Sequence, residues 1–297
     1  MSGFSPDWLR TREPFDLAAR DGRLASRFAH CTSASLAAAA ARRPAHIIDL
    51  AAGAGANFRV LAPVLKQDQT WLLVDHDPRL LAAQQTEIAA WALAHGWRVT
   101  DVGDGLRIDT GTACWQVQGM QLDLAAGLET LDLRATDGVV TTAFLDLVSA
   151  AWLERLSGLL ARNPRPLLAT LSVDGHRQWR PAHPADAEVL AAFQHHQGGD
   201  KGFGSALGHT APAHLAALLR DAGFAVSLAP SNWHIGPGHP GMLQPMLTEA
   251  GAVARASQAV TGSTITDWLA CRSAQLAAGQ LSLEIGHQDL LALPPGR

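Results

Sequence analysis

Apolar residues in this chain fall into short, nearly unbroken runs, separated by longer stretches of amphipathic character. Runs of the first kind occupy residues 47–50, 71–74, 138–142, 166–173 and 224–228, while 114–122, with Gln at 116, 118 and 121, reads as a further parallel strand, the third. Runs of this length bounded by turn residues predict strands buried on both faces. The stretches between them predict helices. One opens near Asn57, and one runs over 78–95 with Pro78 in its first turn. Another carries Trp152, Leu153 and Leu156, and a fourth spans 212–222 and is broken by Gly223. Strands alternating with helices in this way specify an open α/β sheet.

The remaining segments elaborate that plan. Residues 8–41 predict helices ahead of the first strand, with Ser33 or Ser35 placed to cap the Ala-rich second piece. Asp104-Gly105, between alternating runs in 97–108, predicts a small β-hairpin insertion. From His176 to Thr210 the composition shifts to His, Trp, Pro and Gly, which predicts an ordered, substrate-covering insertion with a short helix over 185–193. A Gly/Pro-rich loop follows at 233–240, then helices over 242–260 and 265–278 that offer further substrate contacts or a homodimer face. Alternation over 281–285 predicts a seventh strand, antiparallel beside the sixth. The expected architecture is one Rossmann-like domain: a seven-stranded, mostly parallel sheet with helices on both faces, an N-terminal helical lid and the hairpin. Within it, 1–44 is the helical segment, 45–174 the cofactor-binding half, 175–210 the insertion and 211–297 the C-terminal part.

Composition narrows the partners. The 297 residues carry a net charge of −4, which supplies no field for gathering nucleic acid. No apolar run approaches the length of a membrane span and no signal-peptide core opens the chain. Three cysteines, far apart, form neither a disulfide framework nor a zinc pattern, and a cytoplasmic location is expected.

The chemistry concentrates where the first strand ends, in Asp49-Leu50-Ala51-Ala52-Gly53-Ala54-Gly55-Ala56-Asn57. Glycines in such a turn let the backbone reach positive φ and lie against a ligand. Asp75 closes the second strand, where a carboxylate accepts hydrogen bonds from ribose hydroxyls. A dinucleotide fingerprint, G-x-G-x-x-G/A, would put Phe58 in its third glycine slot, where helix and strand pack closely. That is a poor fit for an NAD(P)-dependent oxidoreductase.

The stretch resembles instead the first motif of the class I S-adenosylmethionine-dependent methyltransferases, an acid followed by small-x-Gly-x-Gly, with Ala51 replacing the usual first glycine. The resemblance implies S-adenosyl-L-methionine as cofactor, with Asp49 near its amino acid end, Ala51 beside the methionine moiety, Asp75 at the ribose, and Asp123 and Leu124 at the adenine. Gly53, Gly55, Asn57 and His76 are further cofactor-binding candidates, and Thr142 and Ala143, beyond the end of the fourth strand, are expected to line the site. Arg20 and Arg23 would reach the cofactor's carboxylate, or be solvated arginines on a helix face.

For catalysis, Asp146 in the loop after the fourth strand orients substrate or accepts a proton, or else caps a helix. His195 and His196, with Asp200 and Lys201, are candidates for a general base or substrate contact, against a plain role as solvated loop residues. No spacing among the histidines suits a metal. The implied activity is methyl transfer to a small-molecule acceptor. A non-catalytic S-adenosylmethionine-binding protein and an RNA or protein methyltransferase are the alternatives within the resemblance.

Overall fold

A computed structural model describes residues 5–38 and 43–295. The strands in chain order are β1 (Ala45–Leu50), β2 (Gln69–Asp75), β3 (Arg98–Asp101), β4 (Gly105–Asp109), β5 (Cys114–Gln121), β6 (Gly138–Thr142), β7 (Leu167–Arg180), β8 (Ala225–Pro230), β9 (Trp233–Ile235) and β10 (Ser282–Leu293). The helices are α1 (Pro6–Ala19), α2 (Gly22–Ala38), α3 (Ala56–Leu65), α4 (Pro78–Ala94), α5 (Leu124–Gly127), α6 (Ala150–Arg162), α7 (Asp186–Gln197), α8 (Ala211–Asp221), α9 (Pro240–Ser257) and α10 (Gly262–Ala277).

One sheet holds all the strands in the order β3-β4-β5-β2-β1-β6-β7-β10-β8, with β9 also paired to β10. The pairs β5-β2, β2-β1, β1-β6 and β6-β7 are parallel, and β10 runs antiparallel to both its neighbours. This is a Rossmann-like sheet whose order reverses beside β1. Ligands bind at such switch points, beyond the strands' carboxyl ends. Successive strand residues point to opposite faces, so Leu168 and Leu291 join the core under α2, α3 and α4. Leu167, Ala169, Leu290 and Ala292 join the core under α6 and α8. A third core of α7, α9, α10, β9 and the outer ends of β7 and β10 takes in Trp8 and Phe15 of α1.

Several elements differ from the sequence expectation. Asp174-Gly175 does not end the fifth strand: Gly175 (φ +90°) kinks β7, which continues to Arg180 against Ser282–Ile285 of β10. A Cβ on Gly286 would stand 2.1 Å from Asp174 Oδ1, so the irregular pairing there depends on glycine. Residues 175–180 are therefore strand, and the seventh strand runs to Leu293. The expected loop at 233–240 begins as β9. At the N-terminus the break falls at Arg20-Asp21, where Asp21 Oδ1 accepts from the backbone N–H of Arg23 and Leu24. Ser33 and Ser35 sit inside α2 and cap nothing. The helix expected to residue 41 is described to Ala38, and 39–42 lie outside the described residues.

Candidate functional site

Three consecutive sheet positions carry backbone strain at the same edge. Ala51 after β1, Ala143 after β6, and Leu171, which follows the last β7 residue paired to β6, have φ of +53°, +49° and +56°. Each costs about 1–2 kcal/mol for a residue with a Cβ. Ala51 thus holds the left-handed conformation that glycine would adopt freely at that point of the motif. Gly53 (φ +55°) presents its missing Cβ toward α1, where Leu9 Cδ1 would lie 3.3 Å away, so α1 covers the turn. Gly55 serves packing, because its Cβ would stand 2.8 Å from Ile88 Cδ1. Phe58 is fully buried, edge-on to Trp71, Trp91 and Trp115, and fills the slot that a dinucleotide fold keeps small.

Asp49 is wholly buried at the end of β1. Its Oδ1 accepts from Asn57 Nδ2 (2.8 Å), while Oδ2 has no partner. Burial raises the Asp49 carboxyl to about 7, against the pull of Asn57 and Arg20. Asn57 Oδ1 accepts from Arg20 Nη1 (2.7 Å), which also donates to Thr170 Oγ1 (2.9 Å), and Arg20 Nη2 donates to Thr142 Oγ1 (3.1 Å). Burial lowers the pKa of the Arg20 guanidinium, and the charges of Asp16, Asp289 and Asp49 oppose that fall. Arg20 is thus the arginine brought to the site. Arg23 pairs with Asp21 in solvent.

Asp75 accepts from Gly53 N–H (2.9 Å) and Asp77 N–H (3.0 Å), one on each oxygen. A carboxylate has about four acceptor positions, so two remain. Asp77 caps α4 through Arg79 N–H (2.9 Å) and is held down to about 2 by its bonds to Arg79. His76 is exposed beside Asp75, its Nδ1 3.5 Å from Oδ1. Asp123 Oδ1 caps α5 through Ala125 N–H (2.9 Å), leaving Oδ2 unengaged, and Leu124 is buried with its carbonyl accepting from Trp152.

On the other side of Arg20 lies a second buried polar cluster. Arg12 of α1 pairs with Asp16 (2.9 Å) and lies over the Trp233 ring (4.8 Å), whose Nε1 donates to Asp16. The His287 ring is 4.9 Å from that of Trp233; its Nδ1 has no partner, and burial with the Arg12 charge lowers it to about 3. Asp146 is raised to about 6 by burial, with Arg12 pulling the other way. The helix-cap reading of Asp146 does not hold: Ser149 caps α6 through Trp152 N–H. Buried Asp289 accepts from Leu171 N–H and from Asp21 N–H, tying the strained β7 position to the start of α2. His195 and His196 lie exposed in the last turn of α7, and their rings make no hydrogen bond among the described residues. Asp200 binds the Gly202 and Gly204 amides, and Lys201 the His196 carbonyl. Among the described residues no group of three or more His, Cys, Asp and Glu could hold a metal. None of their helices is long and apolar enough to cross a membrane.

Arg12, His287 and Asp289 escaped the sequence reading, being carried by α1 and by the late part of β10. Their one signal is the polar run His287-Gln288-Asp289 inside an otherwise apolar strand.

No protein-family model matches the chain, and no curated protein matches it in sequence. Solved structures similar to it include an O-methyltransferase family protein from Burkholderia thailandensis, at 16% identity and TM-score 0.46 over 98% of this chain and 59% of that one. Phosphoethanolamine N-methyltransferase 2 from Haemonchus contortus, in complex with phosphomonomethylethanolamine and S-adenosylhomocysteine, matches at 12% and 0.43 over 99% and 59%. The chain thus spans about three fifths of the length of these two. An S-adenosylmethionine-dependent methyltransferase from Geobacter sulfurreducens, solved with S-adenosyl-L-homocysteine, matches at 12% and 0.44 over 99% and 100%.

Proposed function

We propose that this chain binds S-adenosyl-L-methionine beyond the ends of β1 and β2 and transfers its methyl group to a small molecule. One observation carries the reading: a wholly buried carboxylate with an unpartnered oxygen, Asp49, is joined through Asn57 to a buried guanidinium, Arg20. An α-amino acid offers the complement, an ammonium for Asp49 Oδ2 and a carboxylate for Arg20. Buried polar groups left open in this way are paired when their ligand is present. The residues present fit the cofactor elsewhere too. Gly53 keeps the turn clear of side chain, Asp75 retains acceptor positions for ribose hydroxyls, and Asp123 Oδ2 is open for the adenine amine.

Bound there, the sulfonium would supply an electrophilic methyl group. The chain's own task is to align it with a nucleophile and exclude water. Leu9 over Gly53, and the Glu13–Arg59 and Arg10–Glu87 pairs that hold α1 to α3 and α4, close the cofactor side. Asp146, in the turn that follows β6 and with its carboxyl raised to about 6, takes a proton from an acceptor that carries one. His195 and His196 hold no part in this assignment.

A melting comparison tests the cofactor. Ligand at a hundredfold over its dissociation constant stabilises the fold by about 2.7 kcal/mol. S-adenosylhomocysteine is expected to raise the melting temperature and NAD to leave it unchanged; the reverse result overturns the proposal.

A further inference from the structure

Arg177 stands apart from the other buried charges of the chain. It lies half-buried on β7 beyond the parallel part of the sheet, opposite Ile285 of β10, beside the third core. Its guanidinium lies over Phe193 of α7 at 4.3 Å and near Trp179 at 5.8 Å. Burial pulls it down to about 10. No carboxylate lies within ion-pair distance of it among the described residues; Glu249 of α9 acts on it only from farther away. The buried Nε has no hydrogen-bond partner, and Nη2 donates to Met246 alone, to its carbonyl at 3.3 Å and its Sδ at 3.9 Å. Its charge, with that of Arg12, also reaches the buried His287.

A buried guanidinium nitrogen without a hydrogen-bond partner is costly, and Nε of Arg177 is one, while the side chain as a whole is half-buried. An arginine whose planar donor fork is open matches the two oxygens of a carboxylate or phosphate. A cavity of about 10 Å³ lined by Arg177, Trp179, Asp186, Val189, Leu190 and Ala250 adjoins it, room for a single oxygen of such a group, the rest of which would stay outside it. Asp186 does not oppose an anion there, because Arg272 binds both its oxygens, at 2.5 and 2.6 Å.

We infer that Arg177 is the recognition group for an oxyanion, and, resting on the methyl-transfer reading, that this oxyanion belongs to the acceptor. The acceptor is then a small molecule bearing a carboxylate or phosphate. One oxygen of its anionic end enters the cavity among α7, α9 and β7, and its reactive end extends toward His287.

The full chain is melted in inorganic phosphate, in acetate and in chloride at equal ionic strength, alongside Arg177→Met and Arg177→Lys. Wild type is expected to gain about 2–4 °C in phosphate or in acetate over chloride, which identifies the oxyanion. Arg177→Met should lose the gain and Arg177→Lys keep part of it. No gain over chloride in wild type, or an equal gain in Arg177→Met, overturns the inference. S-adenosylhomocysteine affinity, measured on the same samples, is expected to be unchanged in Arg177→Met. If that ligand fails to bind wild type, the methyl-transfer reading falls while the oxyanion result stands on its own.

Discussion

Replacing Asp49 by Asn separates stability from function with opposite signs. The carboxyl sits at about 7 in the fold against 3.8 in the open chain, because burial disfavours its charge. A raised acid contributes stability that is present below the unfolded pKa and is lost as pH climbs to the folded one. At about 1.36 kcal/mol per pH unit, the span from 3.8 to about 7 sets a ceiling of about 4 kcal/mol on that loss. An Asn amide keeps the bond from Asn57 and carries no charge, but leaves its buried NH2 group without an acceptor, which costs about 1–3 kcal/mol. Above about pH 7, Asp49→Asn is therefore expected to be about 1–3 kcal/mol more stable than wild type. The difference should shrink and change sign toward pH 4. Cofactor affinity should move the other way: losing a charge-assisted bond to an ammonium, about 1.5–3 kcal/mol, weakens binding about 10- to 150-fold. Denaturant melts across pH, with calorimetric titration of S-adenosylhomocysteine, read both quantities. A variant less stable than wild type above pH 7, with affinity intact, would refute the reasoning.

Asp75→Ala removes the acceptor of two backbone N–H groups and, in the proposed site, of the ribose hydroxyls; it should weaken S-adenosylhomocysteine at least tenfold and also lower stability. Asp77→Ala should cost about 1 kcal/mol of capping with little change in affinity, and titration of both variants shows a misplaced strand end if Asp77→Ala is the more damaging. With Asp146 raised to about 6, turnover on an acceptor that carries a proton should rise with pH through that value as the carboxylate forms. Asp146→Asn should abolish the rise, and an unaltered pH profile removes Asp146 from the chemistry.

The parts of this molecule legible in its sequence are those whose determinants are local. Strands β1 and β2 announce themselves by apolar runs ending in Asp49 and Asp75, and the turn between β1 and α3 by its glycines. What the sequence concealed depends on pairing across long separations. Residues 177–180 are strand because Ser282–Ile285 lies beside them, while Asp174-Gly175 reads locally as a stop. The gap that lets the strand continue is the missing Cβ of Gly286, more than a hundred residues away. Arg20 was legible only as one of two arginines near the site; its bonds to Asn57, Thr142 and Thr170 distinguish it from Arg23, which stays with Asp21. Arg12 and His287 meet only once α1 is laid against β9 and β10, and no spacing within any one of those segments foretells the cluster.

The central claim is that the edge of β1 recognises an amino acid zwitterion attached to adenosine, through Asp49 and Arg20. Calorimetric titration of wild type with S-adenosylhomocysteine and with methylthioadenosine, which keeps the adenosine and lacks the amino acid end, tests it most directly. Binding of the first is expected to be at least a hundredfold tighter, since two charge-assisted contacts of about 1.5–3 kcal/mol each separate the ligands. Equal affinity for the two, or no binding of either, would contradict it.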